Sequence, residues 1–244
     1  MITFGTQAQA AAKRRAIPSI GVTFHKAEWM DSGEDPVLSP TVALIEQPAG
    51  FEFMPHFHRQ NQFQVFVDGS GSIGAHALAP VVVHYAGAHT GYGPLVAGPE
   101  GIQYFTMRPV AESGFIPVAE RREKMIQGPK RNAHSRQIAI STSGVMRSLG
   151  NIEDSFVIPL GDDGMGARLL RMPPGHSLEL QHPPGCQGQF IFMLDGAADL
   201  AGHEVARWEQ VYTTSNETIA RLTATANGAQ LLCLSVPPQA EPYR

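Results

Sequence analysis

The chain has 244 residues, 43% hydrophobic and 16% charged, which is enough to bury a real core in one large domain or two small ones. A formal net charge of -4 gives no broad electrostatic attraction for nucleic acid or an anionic membrane. Cys186 and Cys233 are too few for a disulfide scaffold, and no apolar run reads as a signal peptide or membrane span, so a cytoplasmic location is expected.

Short apolar runs broken by Gly, Pro, Asn and Asp follow one another along the chain. They are Pro40–Gln47, Gln62–Val67, Val81–Tyr85, Ile102–Met107, Ala167–Met172, Phe190–Leu194 and Gln230–Val236. With 25 glycines and 19 prolines, the pattern predicts strands joined by close turns, hence an all-β sandwich or barrel. The one good helical stretch is Val118–Ile126, inside a basic, Gly- and Pro-containing segment that reads as a connection between domains.

The two halves repeat. QFQVFVDG at Gln62–Gly69 matches QFIFMLDG at Gln189–Gly196, and the same offset carries the turn at Gly101 onto Gly228. Two similar β domains in tandem are expected, able to cover each other's sheet edges much as a dimer would.

Within Gly50–Gly69, His56 and His58 are one residue apart and Gln62 follows four positions on. Alternate residues of a strand share a face, so the three are in phase. Two imidazoles and an amide oxygen converging inside a sheet can hold a metal ion. The offset puts Pro183, Gly185 and Gln189 where His56, His58 and Gln62 stand, so the second half has lost the imidazoles. His182 and Cys186 lie nearby but out of phase.

The frame Gly50-x5-His56-x-His58-x3-Gln62-x6-Gly69 resembles the first motif of the cupin superfamily, with Gln62 where that motif has Glu. A looser second motif falls on Gly87 and His89. The chain thus resembles a bicupin: two tandem jelly-roll barrels, the first with a metal site and the second degenerate. The expected division is 1–110 for the first barrel, 111–145 for a linker with a short helix, and 146–244 for the second. The resemblance implies His89 as the third imidazole and places the turn-rich segment after it at the barrel mouth, where Thr90 and Tyr92 would touch a ligand.

A neutral Gln62 offers only a carbonyl oxygen to a metal, leaving the cation its full charge, or else orients a histidine. One divalent transition metal, Fe, Zn, Ni or Cu, is expected. The leading functional reading is a metal-dependent enzyme on a small organic molecule, in its concrete form a mononuclear non-haem iron dioxygenase. A non-catalytic ligand-binding or sensing protein is the alternative, supported by the missing Glu and the degenerate second half. An O2-independent isomerase or hydrolase is a third. The expected partner is a small molecule, with neither nucleic acid nor membrane, and a homodimer is compatible with the fold. No general base stands out; Glu52 shares the even phase but lies at the far end of its strand.

Overall fold

The computed structural model describes residues 1–19, 22–112, 114–218 and 221–244. It divides into two compact units, each built on an antiparallel sheet. The first unit comprises Ala8–Ile138 and Gln239–Arg244, the second Met1–Gln7 and Ala139–Pro238.

In the first unit the strand order is Asn132–His134, Val82–Ala86, Gln62–Ile73, Leu95–Arg108, Thr41–Gln47, Val22–Asp31, Arg15–Ser19. Short strands Glu52–Phe53 and His76–Leu78 pair with Leu95–Arg108 and Gln62–Ile73, and His56–Phe57 pairs with Ile116–Pro117. In the second unit the order is Ile2–Gly5, Gln210–Thr214, Gly188–Leu200, Arg221–Val236, Gly166–Met172, Glu153–Ile158. The central four strands thus occur in the same order in both units, and the repeat offset maps one set onto the other. These are jelly-roll barrels of the cupin type. Each encloses its own core: Phe66, Leu95, Ile102 and Tyr104 in the first, Ile191, Met193, Leu222 and Leu231 in the second.

Gly69 and Gly196 show why the shared Asp-Gly pair recurs. Both have φ +72°, and a side-chain carbon at either would collide with a backbone carbonyl, that of Gly101 or of Gly228. Only glycine permits that backbone and that approach.

The structure corrects the expected domain boundaries. Ile2–Gly5 pairs with Gln210–Thr214, so the first strand of the chain completes the second unit. Residues 111–138 are not a linker: Ile116–Pro117 pairs with His56–Phe57, and Asn132–His134 pairs with Val82–Ala86. The expected helix Val118–Ile126 is only a turn of α-helix, Val118–Arg121, followed by a 3-10 turn, Arg122–Lys124. Two further short helices, Gln7–Ala12 and Ser143–Ser148, carried no strong sequence signal. The Thr142 hydroxyl caps the latter by accepting from the Val145 N–H.

Register decides which side chains enter the first barrel. Strand Leu95–Arg108 pairs Gln103 with Asp68 but Tyr104 with Phe66, so Val67 is bulged out. Beyond that bulge even residues face even residues: Tyr104 opposite Phe66 and Thr106 opposite Gln64. On its other edge Tyr104 faces Ile45, which in turn faces Lys26. By alternation Phe24, Lys26, Ile45, Gln62, Gln64, Tyr104, Thr106 and Arg108 share the barrel interior.

Candidate metal and ligand site

Those side chains, with Phe53, His56, His58, Tyr92, Glu112, Gly114 and Phe115, line a cavity of about 130 Å3 in the first unit. His56 and His58 stand with ring centroids 5.5 Å apart. They do not share one long strand with Gln62, as phase alone suggested. His56 belongs to the two-residue strand His56–Phe57, the chain turns, and Gln62 opens the next strand. The three reach the same cavity because the turn returns the chain to the barrel wall.

Each ring has a distinct setting. His56 Nδ1 lies 2.7 Å from the Met54 carbonyl oxygen, so that nitrogen carries the proton and Nε2 keeps its lone pair. His58 Nδ1 lies 3.5 Å from Glu112 Oε2, and its Nε2 accepts from an Arg108 guanidinium N–H at 3.3 Å. Burial, reinforced by the Arg108 charge, pushes His58 down to about 3. Burial does the same to His56, to about 4, against the opposing Met54 carbonyl. Both imidazoles are therefore neutral at neutral pH.

Gln62 Nε2 donates to the Tyr92 hydroxyl at 2.8 Å, which leaves Gln62 Oε1 buried and without a hydrogen bond. Tyr92 is held beside His56 by two backbone hydrogen bonds, His56 N–H to Tyr92 O and Tyr92 N–H to His56 O. Burial pushes the Tyr92 phenol up to about 12, so it remains protonated. Glu112 accepts from the Arg59 N–H at 2.9 Å. Burial works against ionisation of Glu112, but His58, the Arg59 N–H and Arg108 together hold it below the ordinary carboxylate range.

Expected donor His89 is not on the cavity wall. Its backbone N–H donates to the His58 carbonyl, yet its ring packs on Phe57 at 5.7 Å and on Tyr243 at 4.9 Å. Side chains alternate along His56–Phe57–His58, so a ring on Phe57 lies on the opposite side from the two histidines. His89 Nδ1 is occupied by the Ile126 N–H. Thr90 also turns away from the cavity, its hydroxyl accepting from the Arg131 N–H, whereas Tyr92 does line it.

Among the described residues, no three His, Cys, Asp or Glu side chains gather into a metal-holding group. The candidate donors on the wall of this one cavity are His56 Nε2, His58 Nε2 and the unpartnered Gln62 Oε1. Two neutral imidazoles and a neutral amide oxygen suit a divalent transition metal by donor type, without a compensating negative ligand, once His58 Nε2 is released from Arg108. Arg108 beside His58 opposes such a cation.

Arg108 and Glu112 were missed in the sequence. The signal for Arg108 was its even phase with Tyr104 and Thr106, but that phase gains meaning only once the bulge at Val67 is known. Glu112 follows the strand in an irregular segment and carried no periodic signal. Glu52 is exposed, so the carboxylate at the site comes from elsewhere in the chain.

In the second unit, His182 Nε2 is 2.9 Å from the Thr213 hydroxyl and Gln189 Nε2 donates to the Ser235 hydroxyl. Cys186 and Cys233 are buried thiols. No helix of the described residues is long and apolar enough to cross a membrane.

No family model matches the chain. No curated protein matches it in sequence. Solved structures do match in fold. A candidate dioxygenase from Nostoc punctiforme is 15% identical with a TM-score of 0.61, the match covering 97% of this chain and 79% of that one. Bacterial pirin YhhW from Escherichia coli, in complex with nickel(II), is 14% identical with a TM-score of 0.58, covering 98% and 100%. A mutant of Bacillus subtilis oxalate decarboxylase OxdC is 10% identical with a TM-score of 0.63, covering 97% and 77%. With the strand order of both units, these likenesses establish that the chain has the cupin fold.

Proposed function

We propose that the first barrel is the working unit of a metal-dependent cupin enzyme acting on a small organic molecule. The observation that carries this reading is the pair of tautomer-fixed imidazoles, His56 and His58, beside the unpartnered Gln62 Oε1 on the wall of a ring-sized cavity. The three would hold one divalent metal, Fe, Zn, Ni or Cu. Bound there, such a metal would supply a Lewis acid to polarise an oxygen of the substrate. In its finer form the reading is a mononuclear non-haem iron dioxygenase. The nickel-bound pirin and the candidate dioxygenase of the same fold are consistent with it.

The chain's own residues have definable parts. Tyr92 fixes the rotation of the Gln62 amide so that its oxygen is turned away from the shared hydrogen bond. Met54 O holds the Nδ1 proton of His56, and the Glu112 carboxylate stands 3.5 Å from Nδ1 of His58. Phe24, Phe53, Phe115 and Tyr104 line the reacting region with aromatic surface. Glu112 holds a negative charge 3.5 Å from His58, where it stabilises positive charge on the imidazole side of the site.

Elemental analysis of the purified protein, with oxygen uptake on a panel of phenols and diketones, tests this reading. A protein that takes up no metal on reconstitution rules it out. The placement of Arg108 favours a second reading, a ligand-binding or sensing barrel without turnover. Product analysis separates the two, since any converted ligand removes it. Activity under anaerobic conditions would identify an O2-independent isomerase or hydrolase instead.

A further inference from the structure

The cavity joins a larger one of about 760 Å3, lined by charged side chains that include Arg15, Glu28, Asp31 and Arg59. Lys26, Thr106, Arg108 and Glu112 line both, so they form the passage between a polar vestibule and an aromatic chamber. Arg108 stands at this passage with an unusual hydrogen-bond pattern. Its Nη2 meets the neutral His58 Nε2 at a long 3.3 Å, and its buried Nε makes no hydrogen bond. Nε and Nη2 form one edge of the guanidinium fork, the edge that grips a carboxylate with two parallel hydrogen bonds. A buried N–H left without an acceptor is costly, by contrast, and calls for one.

The chamber selects for shape as well as charge. Phe53 meets Phe24 edge-on at 5.1 Å and Phe115 at 5.5 Å, and Phe115 packs on His56 at 4.9 Å. Such rings present faces and edges to a planar guest. A volume of about 130 Å3 is close to that of apolar protein cavities known to take a single benzene ring, of order 150 Å3.

We propose that this cavity takes a planar, single-ring organic carboxylate, its carboxylate on the Nε–Nη2 edge of Arg108 and its ring among Phe24, Phe53, Phe115 and Tyr104. The inference rests on the cavity being the ligand site proposed above, but not on metal being there. Lys26, which pairs with Glu28 at 3.1 Å, lines both cavities beside Arg108. The carboxylate replaces the weak His58 contact and supplies the acceptor that Arg108 Nε lacks.

Calorimetric titration of the full chain with benzoate, benzamide and acetate tests it, on protein stripped by chelation and on metal-reconstituted protein, with metal content measured on each sample. The expected result is benzoate binding at least tenfold tighter than benzamide, because the amide cannot accept from both guanidinium N–H groups. Benzoate should also exceed acetate by at least tenfold, because acetate leaves the chamber empty. Arg108→Gln should lower benzoate affinity tenfold or more and leave benzamide within about twofold. Equal affinity for benzoate and benzamide in the native protein overturns the proposal, as does binding of neither. These two outcomes require no variant to fold. Benzoate selectivity in metal-free protein that also refuses metal keeps this inference and removes the metal-dependent reading; metal uptake without acid selectivity does the reverse.

Discussion

Arg108 donates to Nε2 of His58 at 3.3 Å, which places a cation on the nitrogen that would face a metal. The same buried neighbourhood holds Glu112 3.5 Å from the other nitrogen of that ring. His58 therefore lies between a positive and a negative side chain, and its charge state, metal affinity and ligand contacts are coupled.

Arg108 and a divalent metal compete for one lone pair and repel each other. Arg108→Gln should bind Ni(II) or Zn(II) at least tenfold more tightly than the native protein, about 1.4 kcal/mol. Calorimetric metal titration reads this directly, and unchanged or weaker affinity would show that Arg108 does not oppose the metal.

The three histidines of the sequence motif should separate in their effects. His56→Ala and His58→Ala should abolish metal uptake on reconstitution, whereas His89→Ala should leave it within about twofold, because its ring packs on Phe57 and Tyr243 outside the cavity. Elemental analysis of the three variants decides the matter, and a loss of metal in His89→Ala equal to the other two would return that residue to the site.

Tyr92→Phe removes the acceptor for the Gln62 amide N–H and leaves it buried. The expected cost is about 1–3 kcal/mol of unfolding free energy by urea denaturation. An unchanged midpoint would mean that the amide rotates to another partner.

Gly69→Ala and Gly196→Ala should each cost about 3 kcal/mol or more, since strain at positive φ adds to collision with a carbonyl. Gly50→Ala, at φ +67° with open space around it, should cost only about 1 kcal/mol. Thermal and urea denaturation of the three variants gives the comparison; equal losses at all three would show that the carbonyl approach contributes nothing.

Three imidazoles stack in the first unit. His134 lies between His76 at 3.8 Å and His84 at 4.5 Å, and His84 Nδ1 meets Gln64 Oε1 at 2.7 Å. Burial, with His134 nearby, pushes His84 down to about 3, and burial with His76 pushes His134 down to about 4. Both folded values lie below the unfolded one, so the unfolded chain binds more protons as pH falls. Stability is thus full above pH about 6.5 and is lost progressively below it, down through the folded values. For the fully buried His84 the loss between pH 6.5 and 5 is about 2 kcal/mol. Melting temperatures across that range should fall steeply in the native protein and less steeply in His84→Gln; parallel slopes would exclude His84 as a source of the acid sensitivity.

How far the site was legible depends on whether a feature is local. Short alternating strands, the Asp-Gly repeat and the grouping of His56, His58 and Gln62 follow from neighbouring residues, whose backbone preferences and spacing act over a few positions. They suffice for a β protein of two like halves, one of which bears the His56–His58 pair. His89, Arg108 and Glu112 depend on other information. His89 is turned outward by a left-handed backbone, φ 55°, and by the Phe57 and Tyr243 rings that receive it. Arg108 faces inward with Tyr104 and Thr106 of its own strand, while one bulged residue, Val67, shifts the neighbouring strand by a single position so that Gln62, Gln64 and Phe66 share that face. The N-terminal strand completes the second unit because its open-edge partner is Gln210–Thr214, some 200 residues away in sequence. The sequence by itself determined the architecture and the two imidazoles; only the tertiary structure decided what stands beside them, because strand pairing between distant segments is set by register and packing rather than by spacing along the chain.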